Sequence, residues 1–201
     1  MKRLFVLLVY SVSAFFFGGC RSPTEKTSPP GLLRKPARGV EVIIDGDGQF
    51  PPFLAGRWKA DKGGWEFVFE PDGTISSAVV SLGRVTMKPG QVTTTAMKLG
   101  GKGVFEPGQW TVQYSQEQRK LLVEIAIDHF RVELGDNVVQ GQTRDFFTGS
   151  VSQDGQMWWA DHFSFPEYIA DTKKHPNYKL AFDPNDNPQD SLIFEKATGP
   201  K

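Results

Sequence analysis

Trp65, Phe67 and Phe69 alternate with Glu66, Val68 and Glu70, the two-residue period of a strand with one buried face. Glu70-Pro71-Asp72-Gly73-Thr74 follows. Pro71 presets its own φ and Gly73 tolerates φ > 0, so the chain is expected to turn back into a second strand over 74–82. The same rhythm predicts strands over 40–44, 85–87 and 91–99, then one over 109–115 with Trp110, Val112 and Tyr114 on one face. Longer strands are expected over 120–134, 138–151 and 156–165, and a last one over 191–196 that closes the sheet against an early strand.

Within 120–134 the apolar parity changes. Leu121, Val123, Ile125 and Ile127 share one face, whereas Phe130, Val132 and Leu134 belong to the other. A strand keeps its buried face only if an extra residue absorbs the change, so a bulge is expected near Asp128–Phe130. Parity assigns Trp65, Phe67, Phe69, Trp110, Tyr114, Ile125 and Ile127 to the interior, either as packed core or as the lining of a ligand pocket. Trp158 and Trp159 are adjacent, so one faces in and the other out. Gly100–Gly103 reads as a flexible loop. Residues 166–190, with four prolines and many polar residues, read as a long connection with one helical turn at Pro166–Asp171.

Composition agrees with an all-β chain: Gly 21 and Pro 14 supply turns, and Phe 16 with Trp 5 supply aromatic-rich strands. The 23 basic and 23 acidic side chains cancel, and without residues 1–19 two more acidic than basic side chains remain. Such a balance gives no field that recruits nucleic acid, so no nucleic-acid partner is expected. Cys20 is the only cysteine, which excludes a disulfide framework.

The first residues carry their own signal. Met1-Lys2-Arg3 is basic, and 4–17 is an apolar run ending in Gly18-Gly19-Cys20, the layout of a secretory signal. Phe17-Gly18-Gly19-Cys20 resembles the lipobox of bacterial lipoproteins, with Phe17 where the family usually has an aliphatic residue. The resemblance implies a signal peptide over 1–19, lipid attachment at Cys20, and a membrane-anchored place on the extracytoplasmic side of the bacterial cell envelope. Residues 20–39 are polar and proline-rich and read as a disordered linker. The domain proper is then expected over 40–201.

Phe50-Pro51-Pro52-Phe53 leads to Gly56-Arg57-Trp58, which resembles the Gly-x-Trp signature at the first strand of lipocalins. The resemblance implies a single antiparallel up-and-down barrel or strongly curved sheet, with Trp58 closing one end.

Candidate chemistry is sparse. Asp128-His129-Phe130 and Asp161-His162-Phe163 repeat one triplet, but with a strand between them the histidines would stand roughly 10 Å apart, too far to share a metal. They read as ordinary strand residues. Asp45 and Asp47 alternate without the remaining ligands of a calcium loop, and the acidic run Asp183–Asp190 reads as a solvated loop. No Gly-x-Ser-x-Gly or His-Glu-x-x-His occurs, and no enzyme activity, metal or cofactor is expected. The sequence points to a non-catalytic envelope lipoprotein that binds a small hydrophobic or amphiphilic ligand. The alternative is an interaction module that holds an envelope protein or glycan with its exterior aromatics and the 166–190 segment.

Overall fold

A computed structural model describes residues 39–97, 100–171 and 188–197, all within one unit of the chain, Lys35–Lys201. The strands, in order, are β1 Val40–Asp45, β2 Gly56–Ala60, β3 Glu66–Phe69, β4 Ile75–Val80, β5 Val85–Met87 and β6 Thr93–Ala96. They continue as β7 Lys102–Pro107, β8 Trp110–Ser115, β9 Lys120–Leu134, β10 Asn137–Val151, β11 Met157–Asp171 and β12 Gln189–Lys196. A single 3-10 turn, Leu82–Arg84, is the helical element among the described residues.

The expected hairpin after Phe69 forms. Gly73 adopts φ 87°, and a side chain there would run into Phe50 and Val42. The bulge forms as well: Ile127 pairs with Thr143 and Phe130 with Gly141, so Asp128 and His129 together oppose Gln142. Both are exposed, and the buried parity changes across them.

All twelve strands belong to one sheet. Its path runs β6-β7-β9-β10-β11-β12-β2-β3-β4-β5, while β8 takes the first half of the β9 edge and carries β1 alongside it in parallel. As expected, the last strand returns to an early one, β12 to β2. The sheet curls strongly. Phe67 on β3 and Phe147 on β10 lie four strands apart along the ladders, roughly 19 Å in a flat sheet, yet their ring centroids are 5.1 Å apart.

A closed barrel is not formed. Among the described residues β5 and β6 share only the bridge from Lys88 to Gln91 in the turn between them, and the hydrogen-bonded path stops there.

Three other expectations need correction. Pro166–Asp171 is strand, not a helical turn, and continues β11 opposite Val138–Thr143. Ser164 N–H, pointing away from β10, donates to the carbonyl of Pro188. Pro166, two residues on, faces the same side beyond the reach of β12, so its missing N–H costs no ladder bond. Gly100–Gly103 is not wholly loop, because Lys102 and Gly103 open β7. The last strand starts at Gln189 rather than Ser191, so 189–190 leave the expected connection. The rest of that connection, 172–187, lies outside the described residues.

Candidate functional site

The curl gives the sheet two ends of different character. One is sealed by residues 49–55: Phe50, Leu54 and Trp58 are buried there, and the Trp58 indole donates to the Leu54 carbonyl at 2.8 Å. Phe53 packs edge-on to Tyr114, and the Arg119 guanidinium lies 5.0 Å over its ring. Burial raises the Tyr114 hydroxyl above the ordinary tyrosine pKa. Next comes an aromatic layer in which Phe67, Phe147, Trp158 and Phe194 have no exposed surface. Phe67 and Trp158 both stack on Phe194, at 5.3 and 4.7 Å.

Beyond that layer the interior is hollow. A cavity of about 710 Å³ lies at the end where the β2–β3, β4–β5, β6–β7 and β9–β10 turns gather. One wall is apolar and built by the second half of β9 with β10: Ile127, Phe130, Val132, Leu134 and Val139. The bulge makes this wall, because without it Phe130, Val132 and Leu134 would point outward. Val80, Leu82 and Met97 face it from the other side.

The rest of the lining is polar and clustered. Asp145, only 4% exposed, holds the ring of His162 through a 3.0 Å contact between Oδ1 and Nε2. Thr143 donates to its other oxygen at 3.3 Å. His162 is fixed on two more sides: it stacks on Phe147 at 4.5 Å and packs edge-on to Trp65 at 5.4 Å. Ser164 sits directly across the ladder from Asp145 and lines the cavity too. Asp190 pairs in register with His162 from the other side, and Lys62 Nζ binds it at 2.6 Å. This hydrogen bond holds the Asp190 carboxyl below the ordinary aspartate pKa and the Lys62 ammonium above that of lysine.

Of the interior residues expected from parity, Trp65 and Ile127 line the cavity. Phe67, Phe69, Trp110, Tyr114 and Ile125 are buried in the packed core beside and beneath it. His129 and His162 do not meet: β10 separates their strands, and His129 is exposed, 3.9 Å from Glu106. His129 is thus a plain wall residue, whereas His162 is the centre of the polar cluster. Asp145, Thr143 and Ser164 escaped the sequence reading. Their signal was present, since each falls on the inward parity of its strand, and an inward carboxylate is rare unless paired. Cys20 lies outside the described residues. Among the described residues no three His, Cys, Asp or Glu side chains gather as a metal site would require. No helix among them is long and apolar enough to cross a membrane.

The chain matches no protein-family model, no curated protein and no solved structure.

Proposed function

We propose that this domain binds a small amphiphilic molecule in the cavity at the open end of its curled sheet. One observation carries the reading: a hollow of about 710 Å³ with an apolar wall and a compact polar group. That size and composition suit small-molecule sites, which bury most of an apolar body and orient it with few polar groups. Pre-formed walls also favour binding, since little order has to be imposed when a ligand enters. The lipocalin-like outline is part of the same proposal. It rests on Gly56-Arg57-Trp58, whose tryptophan is buried at the sealed end, and on the up-and-down order of the curled strands. Anchoring to a bacterial membrane through lipid on Cys20 completes it, and this rests on the 1–20 pattern alone. The domain then acts as a tethered, non-catalytic carrier or sensor of its ligand.

The test is titration of the purified protein with N-phenyl-1-naphthylamine, a neutral probe that fluoresces in apolar surroundings. Saturable enhancement at micromolar concentration is expected, and Val132→Trp, which fills the cavity from its apolar wall, should abolish it at unchanged fold. No enhancement in the wild type, or full enhancement in Val132→Trp, would count against the cavity.

A second reading is favoured by the outer face of β11, where Trp159, Phe165 and Ile169 are 46%, 57% and 66% exposed. Trp159 pairs across the ladder with Ile193, and Phe165 packs edge-on to Phe146. An apolar stripe of this kind suits an interaction module for an envelope protein or glycan.

A further inference from the structure

The polar cluster restricts which amphiphile the cavity takes, an inference that rests on the proposed binding there. Among the described residues no lysine or arginine lines the cavity, but two carboxylates do, those of Asp145 and Asp190. Asp190 already holds Lys62. Asp145 is nearly out of water and, among the described residues, its side chain bonds only His162 and Thr143. Each of its oxygens therefore keeps room for a further donor. Ser164, 8% exposed and directly across from Asp145, lines the same cavity. A hydroxyl beside a carboxyl in the lining gives a ligand's polar head a second group to bond.

We infer that the ligand is an apolar chain or ring system ending in a hydrogen-bond donor, a primary amine above all, and that amphiphilic carboxylates are rejected. An ammonium offers three donors and one positive charge. It can bond Asp145 and the Ser164 hydroxyl together while the chain lies along Phe130, Val132 and Leu134. An alcohol satisfies the same atoms with one donor and no charge. A carboxylate would instead be set against the Asp145 carboxyl, with no lysine or arginine among the described lining residues to receive it, and it would lose its water without compensation.

The experiment is displacement of N-phenyl-1-naphthylamine from the purified full chain at neutral pH by decylamine, 1-decanol and decanoate. The three share one chain length and differ only at the head. Decylamine is expected to displace the probe at a concentration at least tenfold below decanoate, with decanol between them. Equal or better displacement by decanoate would overturn the inference while leaving the cavity reading intact. Failure of the probe to bind at all would overturn both. Asp145→Asn should reduce the decylamine preference at least tenfold and change decanol little; an unchanged preference would contradict the assignment. If that variant does not fold, Ser164→Ala takes its place and should weaken decylamine and decanol together without weakening the probe.

Discussion

Phe67 and Trp65 share one parity and differ in what surrounds them. Phe67 touches Phe69, Phe147, Trp158 and Phe194 and has no exposed surface. Truncating such a ring leaves a void that close-packed neighbours cannot fill, at a cost of about 3–5 kcal/mol. Phe67→Ala should therefore lower the denaturation midpoint severely, and a loss below about 1 kcal/mol in urea unfolding would show that its surroundings are not packed. The Lys62–Asp190 pair makes a milder prediction. Asp190 is depressed in the folded state, so its contribution is present above the ordinary carboxylate pKa and is lost as pH falls through the depressed value. Lys62 is raised, so its contribution is present below the ordinary lysine pKa and is lost as pH rises through the raised value. The pair is at full strength between about pH 4 and pH 10, and its exposure keeps the stability effect small. In Lys62→Met the Asp190 carboxyl should titrate at higher pH, closer to an ordinary aspartate, when followed by carbon NMR. An unmoved titration would deny the contact.

At the scale of elements, β9 makes the cavity wall, and its bulge decides which side chains reach it. Asp128 and His129 are both exposed, and their count matters more than their chemistry. His129→Val keeps the extra residue and should change stability by no more than about 0.5 kcal/mol, as surface substitutions do. Deleting Asp128 removes the extra residue and would turn Phe130, Val132 and Leu134 to solvent, so the variant should lose its near-ultraviolet circular dichroism and cooperative melting. Native-like melting after the deletion would contradict the bulge. The same strand shows what pattern can convey. Its limits, its parity change and the facing of Trp110, Val112 and Tyr114 on β8 were legible because large apolar side chains alternate along β8 and on either side of Asp128-His129 in β9. β7 was not, because Gly101 and Gly103 break the alternation and Pro107 ends it. The upper half of β11 was hidden by Pro166, a residue that reads as a breaker until the neighbouring strand is known to stop short of it.

Across the whole molecule, the all-β character and the return of β12 to β2 follow from the order of apolar segments, but the hollow does not. Parity says that Trp65 and Phe67 both face inward; it carries no information on whether the space opposite is filled. That depends on long-range curvature, which brings β3 against β10 yet leaves Val80 and Met97 facing Val132 and Val139 across an opening. The polar cluster was hidden for the same reason, since Asp145 and His162 lie on different strands and meet through register alone. At the other end of the chain the proposed tether has its own test: Cys20→Ser should abolish incorporation of a clickable fatty acid, and equal labelling of wild type and variant would refute it. The central claim, that the cavity and not the outer aromatic stripe receives the ligand, is tested most directly by methyl NMR of the protein titrated with decylamine. Saturable shifts at Ile127, Val132, Leu134 and Val139, with Leu54 and Val151 at the sealed end unmoved, are the predicted result. Shifts confined to Ile169 and Ile193 on the outer face, or none at the cavity methyls, would contradict it.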